Sequence, residues 1–234
     1  MDRWTIGSVW QEMRDIVRTN GGVFAPVAAM FVMLPNLLAA RFVPDLRESV
    51  FDLPSGPVTV ASLLVSLIGA VAQAFILRVA RRGDDRPVRE VLREAFGLAP
   101  PLFALSILTG LATMFGLILF IIPGLYVIGR LAIGQAVLVN ERRGVGDSLR
   151  RAWELSGPHA WRILGFGLLL LVAVMGAILL LSAVAMAAGV IFRIVGLTGV
   201  DQMLVLLVSA VVISAATVYG AVGISVIYRR VTAA

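Results

Sequence analysis

The sequence has 234 residues, of which 59% are hydrophobic and 15% charged, and its mean hydropathy is +0.96. Soluble domains carry roughly 25% charged residues, so this composition excludes an ordinary water-soluble domain. The absence of cysteine excludes disulfides, thiolate metal sites and cysteine nucleophiles. The apolar residues fall in blocks of about 20, the length at which a helix crosses a bilayer. These features predict an all-α membrane protein.

Six apolar blocks predict six transmembrane helices in one membrane domain that covers residues 1–234. The third and fourth spans are joined almost without a loop, because Pro123 lacks a backbone N–H and Gly124 tolerates tight geometry at this point. The predicted spans are residues 22–42, 58–79, 101–120, 122–140, 163–191 and 203–228.

All 20 basic residues are arginine, which is typical of a GC-rich bacterial genome. If both termini and the second and fourth connections face the cytoplasm, 16 of the 20 arginines lie on that side. The positive-inside rule therefore predicts a multi-pass protein of the bacterial inner membrane with both termini in the cytoplasm.

Three cytoplasmic segments have apolar residues at helical spacing, namely residues 6–17, 88–96 and 145–153. The first is predicted to end near residues 20–22, where Asn-Gly-Gly follows. These helices are expected to lie in the headgroup layer, with Arg89, Arg93, Arg150 and Arg151 toward anionic lipid phosphates. The alternative is that their apolar faces pack against the ends of the spans, and both arrangements can hold together.

Each amphipathic segment precedes a pair of spans, and the second and third segments align without gaps. The sequence therefore predicts one unit, an interfacial helix followed by a transmembrane hairpin, that is used three times. The predicted units are residues 1–79, 84–140 and 143–230.

Several short motifs between residues 121 and 169 resemble a known family. They are Ile-Pro-Gly-Leu-Tyr at 122–126, Arg130, Ala-Val-Leu-Val-Asn-Glu at 136–141, Asp-Ser-Leu-Arg-Arg-Ala-Trp at 147–153, Gly157, and Trp-Arg at 161–162. The chain resembles the glycerophosphoryl diester phosphodiesterase membrane-domain family and the related YciC-like inner-membrane proteins. The resemblance implies a fold and a location but no catalytic residues. The phosphodiesterase reaction belongs to a separate soluble barrel domain with paired histidines and metal-binding carboxylates, which this sequence does not contain.

Catalysis has no support in the residue pattern. No Asp or Glu lies inside a predicted span, and the single histidine, His159, precedes an aromatic residue at the predicted membrane surface. Metal-assisted and acid/base chemistry need several such groups together. We therefore predict no catalytic residue, no metal site, no cofactor and no enzymatic activity.

Arg130 lies near the middle of the fourth span, where a charge costs about 2.5–3.5 kcal/mol on the insertion scale. Tyr126 and Gly134 share its helix face, and Gln73 in the second span is a further predicted neighbour. The structural interpretation is an arginine that braces helices through these groups. The functional interpretation is a cation that holds a lipid phosphate or another anion.

Two function classes follow. The first is a noncatalytic protein that binds lipid or a partner protein and influences envelope organisation; the second is a small oligomeric transporter or channel with Arg130 in its pathway. The expected partners are membrane phospholipids with anionic headgroups at the cytoplasmic face, together with a homo-oligomer or a membrane protein. Nucleic acid is not expected, because acidic residues interrupt arginines that line a membrane face.

Overall fold

The computed structural model describes residues 5–42, 56–80, 86–194 and 200–233, and all regular structure in these ranges is helical. Six helical runs there are long and apolar enough to cross a membrane, which confirms the predicted class and the six spans. The helices are α1 (Ile6–Ala28), α2 (Leu34–Phe42), α3 (Gly56–Val79), α4 (Val88–Leu119), α5 (Ile121–Leu131), α6 (Gly134–Glu141), α7 (Val145–Ser156), α8 (Ala160–Ile194) and α9 (Val200–Thr232).

The first amphipathic segment is part of a longer helix. Thr5 caps α1, since the Ser8 N–H donates to the Thr5 hydroxyl and the Thr5 N–H donates to the Ser8 hydroxyl. The helix then continues through residues 20–22, so the predicted end at Asn-Gly-Gly is wrong. Asn20 donates its side-chain amide to the Ile16 carbonyl of the same helix. A break here would leave backbone groups unpaired at the membrane boundary, which favours the continuous helix.

A π-helical turn, Ala29–Met33, joins α1 to α2 without interrupting the helical run. It lies between two prolines, Pro26 within α1 and Pro35 within α2. Proline lacks the N–H that bonds to the preceding turn, and membrane helices accommodate this loss by local changes of helix type. The first span is therefore a helix with an irregular middle.

The second amphipathic segment, residues 88–96, is also continuous with a span, because α4 runs through Pro100 and Pro101. The third is a separate helix: α7 ends at Ser156, and a 3₁₀ turn, Gly157–His159, leads into α8. The sequence therefore predicts three helical segments. In the structure the first two are continuous with their spans, and the third is a separate helix before its span.

The turn between the third and fourth spans lies where the sequence places it. Phe120 is extended (φ −165°) and forms a one-residue break between α4 and α5, and Pro123 occupies the first turn of α5, where proline is tolerated. The two helices meet at glycines, since a Cβ added to Gly116 would lie 2.9 Å from the Gly124 Cα. Two glycines allow the backbones to approach closely at this turn.

The core lies in the half of the bundle nearest the arginine-bearing connections. There α3 packs on α4, α8 on α9, and α1 on α9. A Cβ on Gly223 of α9 would lie 2.7 Å from the Phe166 ring of α8 and 3.3 Å from the Met13 sulfur of α1, so three helices meet at this point. Toward the opposite end, large apolar side chains such as Ile118 and Val172 are exposed (69% each), as expected for surfaces that face lipid tails.

Candidate functional site

At one end of the bundle, three glutamate carboxylates each form ion pairs with two or three arginines. The first is Glu94 of α4, whose oxygens lie 2.7 Å from an Arg78 nitrogen, 3.0 Å from Arg86 and 2.5 Å from Arg142. Arg78 ends the second span and Arg142 follows the fourth, so one carboxylate joins three parts of the chain.

The second carboxylate is Glu141, at the end of α6. Its oxygens lie 2.6 Å from Arg143 and 3.7 Å from Arg151, and the Tyr228 hydroxyl of α9 donates to it at 3.1 Å. The fourth connection is thereby held beside the last helix.

The third carboxylate is Glu12 of α1, which lies 3.0 Å from Arg229 and 2.7 Å from Arg230 of α9. Arg230 also donates to the hydroxyl and, at 3.2 Å, to the carbonyl of Ser8. The amino-terminal helix and the last helix are therefore tied together at this end.

These contacts unite the segments that the arginine count assigns to the cytoplasm. Seven arginines share three glutamates, which leaves an excess of positive charge at this end among the described side chains. The segments lie on the same side of the bundle, and its assignment to the cytoplasm remains a prediction of the positive-inside rule.

The four arginines predicted to contact headgroups differ in their surroundings. Arg89 and Arg93 are exposed on α4. Arg150 of α7 is 83% exposed and lies 3.2 Å from Glu154 on the same helix, whereas Arg151 is 38% exposed and lies between Glu141 and Glu154. Three of the four are therefore available at the surface.

The amphipathic segments pack part of their apolar faces within the protein, whereas Val88 and Phe96 of α4 are 47% and 53% exposed. Val9 and Met13 of α1, Val91 and Ala95 of α4, and Ala152 of α7 are each at most 2% exposed. This is the packing that the sequence left open as the alternative to lipid burial. Contact of these segments with headgroups remains a prediction for their polar faces.

Arg130 lies in an aromatic site formed by α5 and α7. Because α7 runs antiparallel to α6 and α5, Trp153 and Ser156 lie beside Arg130. The guanidinium carbon is 4.5 Å from the Trp153 ring centroid and 5.4 Å from that of Tyr126, and the two rings meet edge to face. The Ser156 hydroxyl donates to the Arg130 carbonyl at 2.5 Å. Cation–π attraction of this kind offsets part of the cost of withdrawing the charge from water.

Among the described residues, the neighbours of Arg130 are aromatic rings, and no carboxylate lies within ion-pair distance of it. Its Nε is buried and has no hydrogen-bond partner among the described residues. A Cβ added to Gly157 would lie 2.5 Å from an Arg130 Nη, so the guanidinium contacts the 3₁₀ turn that precedes α8. In sequence Arg130 lies midway along the fourth span. In space its guanidinium lies beside the start of the fifth span, α8.

Gln73 belongs to a different cluster. Its amide nitrogen donates to the Gln135 side-chain oxygen at 2.5 Å, and Gln135 donates to the Ser106 hydroxyl at 3.3 Å. Gln73 and Ser106 line a cavity of about 720 Å³ between the spans, whose described lining includes no charged residue and not Arg130. Of the three predicted site residues, the structure therefore brings Arg130 and Tyr126 together and places Gln73 in a separate hydrogen-bond chain.

Within the described ranges, no group of three His, Asp or Glu side chains is arranged to hold a metal ion. His159 lies in the 3₁₀ turn before α8, next to Arg162 and close to the exposed Trp161.

A comparison with curated proteins finds similarity to a membrane protein of bacterial origin. Over 161 residues the chain is 28% identical to a UPF0259 membrane protein of Photorhabdus laumondii, and the match covers 56% of this chain and 63% of the relative. No family model matches the chain, and no solved structure matches it. The similarity supports a bacterial membrane protein. It provides no link to glycerophosphoryl diester phosphodiesterases, so that part of the sequence resemblance remains a prediction.

Sequence reasoning missed Trp153, Glu94 and Arg142. Trp153 is 23 positions from Arg130, and Glu94 is 48 positions from Arg142, distances at which one sequence shows no pairing. A signal was present for Trp153, because it lies on the apolar face of the third amphipathic segment, and that face had to pack on something.

Proposed function

We propose that the protein is a noncatalytic component of the bacterial inner membrane that binds anionic phospholipid headgroups at its cytoplasmic face and thereby influences envelope organisation. The supporting observation is the excess of arginine over glutamate at one end of the bundle, where Arg89, Arg93 and Arg150 are exposed. The apolar spans set how deep this end of the bundle lies in the membrane. In this proposal the exposed arginines lie at the level of the lipid phosphates.

The expected gain follows from the number of exposed cations. Each arginine near an anionic surface contributes about 1 kcal/mol, so the three exposed arginines together give about 3 kcal/mol, or roughly a hundredfold preference for anionic over zwitterionic lipid. This preference should weaken as salt is added, because exposed charges are screened. In this proposal Arg130 and Tyr126 form an additional phosphate contact at the start of α8.

The test is lipid retention by the purified protein. Native mass spectrometry would count phosphatidylglycerol molecules retained from nanodiscs that contain equal amounts of phosphatidylglycerol and phosphatidylcholine. Replacing Arg89, Arg93 and Arg150 with Gln should reduce the phosphatidylglycerol bound. The matched control replaces Arg41, Arg47 and Arg193 with Gln, which removes the same charge from the predicted opposite side.

Equal retention by the two triple variants would contradict the proposal. If the wild-type protein shows no preference for phosphatidylglycerol, the arginine-rich end serves another partner, and an acidic membrane protein would then be sought by crosslinking.

The cavity beside Gln73 is the observation that favours a transporter as the second candidate. Its volume of about 720 Å³ is in the range of ligand sites. However, Arg130 does not line it, so a pathway through this cavity would not use that cation. Anion flux into proteoliposomes that is lost in a Gln73→Leu variant would support transport, and absence of flux from wild-type proteoliposomes would exclude the anion pathway.

A further inference from the structure

A second cavity lies between α4 and the end of α6. It is beside the Glu94 cluster, which consists of Glu94 and its partners Arg78, Arg86 and Arg142. Its volume is about 420 Å³. It has a charged rim and an apolar floor. The lining residues are Glu94, Gly97, Leu98, Pro101, Leu138, Arg142 and Arg143.

Among the residues that line the cavity, two are cations, Arg142 and Arg143, and one is a carboxylate, Glu94. Arg78 and Arg142 approach the same Glu94 oxygen, at 2.7 and 2.5 Å, and Arg86 approaches the other oxygen at 3.0 Å. Like charges that share one acceptor repel each other, and a further anion beside Arg142 and Arg143 would lower that repulsion.

The cluster includes both a fixed and an accessible part. Arg78 is 4% exposed and Glu94 is 18% exposed, so their pair is held within the bundle. Arg142 and Arg143 are 67% and 50% exposed and lie on the cavity rim. A ligand can therefore reach two guanidinium groups while the buried pair keeps its position.

Arg142 has an unusual backbone conformation. It closes α6 at φ 52° and ψ 38°, and it is the one non-glycine residue with positive φ among those described. This left-handed region costs a side-chain-bearing residue about 1–2 kcal/mol, and glycine is the usual residue at such a helix end. Gly144 follows two positions later, yet the arginine occupies the strained position. Local strain of this kind is concentrated at functional sites.

We propose that this cavity is a specific site for one anionic glycerophospholipid. Arg142 and Arg143 bind its phosphate, Arg78 and Arg86 supply positive potential behind them, and Leu98, Pro101 and Leu138 cover the first part of an acyl chain. The apolar floor distinguishes a membrane lipid from a free phosphate ion, since inorganic phosphate would not use it. This site gives a defined location to the lipid binding proposed above. It rests on that proposed function only in taking the phosphate to be that of a membrane lipid.

The decisive variant is Arg142→Gly. Glycine suits the left-handed position, so the helix end should be at least as stable, whereas a phosphate-binding guanidinium is lost. The measurement titrates phosphatidylglycerol into protein in phosphatidylcholine nanodiscs, follows the first bound lipid by native mass spectrometry, and records the melting temperature of each variant. We expect the affinity for that first lipid to fall about tenfold, as is typical for loss of one charge-assisted hydrogen bond, with an unchanged or higher melting temperature.

Two further variants keep the result interpretable. Arg143→Gln removes a rim cation that pairs with Glu141 and not with Glu94, and it should also lower the affinity. Arg14→Gln removes an exposed arginine of α1 outside the cavity and should leave it unchanged. If Arg142→Gly lowers the melting temperature and Arg143→Gln leaves the affinity unchanged, the cluster is a brace between helices and the proposal fails.

The same titration distinguishes the two sources of phosphate, a lipid headgroup and a free phosphate ion. Inorganic phosphate at millimolar concentration should compete weakly with phosphatidylglycerol, and full displacement would overturn the assignment to lipid. A wild-type protein without preference for phosphatidylglycerol would refute the general lipid-binding function. A wild-type preference that survives both Arg142→Gly and Arg143→Gln would refute this site alone.

Discussion

Gly129→Ala should destabilise the contact that places Arg130 beside α8. A Cβ at position 129 would lie 2.5 Å from the Ala160 carbonyl oxygen and 3.2 Å from its carbon, both backbone atoms that cannot rotate away. Overpacking of this kind costs about 1–3 kcal/mol. Alanine also gains about 0.5–1 kcal/mol over glycine in a helix, which partly offsets the clash.

A matched variant separates the effect of the clash from the effect of alanine on helix propensity. Gly176→Ala is the same change within α8, where an added Cβ meets nothing within 4 Å. The free energies of unfolding of the two variants should therefore differ by about 1–3 kcal/mol, with Gly129→Ala the less stable. Reversible unfolding by SDS in mixed micelles, followed by circular dichroism, measures this difference. Equal stability of the two variants would refute the close approach of α5 to α8.

Three further outcomes are expected. Arg130→Met should leave the protein folded but remove one copurifying phospholipid in native mass spectrometry, and unchanged lipid in a well-folded variant would count against the phosphate contact. Glu12→Gln should lower the free energy of unfolding by up to about 1 kcal/mol, and by less in high salt, because partly exposed ion pairs are screened. A cysteine at Asp147 should resist periplasmic labelling while one at Ser55, outside the described residues, reacts; the reverse pattern would invert the topology.

The sequence was sufficient for the spans because their signal is local. Apolar length sets each crossing, and the turn at Phe120 follows from Pro123 and Gly124 close by. The same local rules failed at Asn-Gly-Gly 20–22, where they predict a helix end. Within a membrane bundle an interrupted helix exposes unpaired backbone groups, so the helix continues through residues that would end it in water.

The candidate site was only partly predictable because its partners are distant in sequence. Tyr126 is one helical turn from Arg130, and its proximity followed from helix geometry. Trp153 reaches Arg130 only because α7 turns back along α5, which depends on tertiary packing. The prediction of Gln73 as a third partner rested on its depth in the second span, and depth does not determine which neighbour a side chain meets.

The contact between α1 and α9 affects how the protein can be made. Val9 and Met13 are fully buried, and Met13 lies against Gly223 of the last helix, while Glu12 pairs with arginines of the same helix. During synthesis α1 is made before α9, so its apolar face stays uncovered and Glu12 lacks these arginines until α9 has been inserted. A chain interrupted before α9 would lose one membrane crossing and also the surface on which α1 packs, so the defect would appear in α1 as well as at the missing helix.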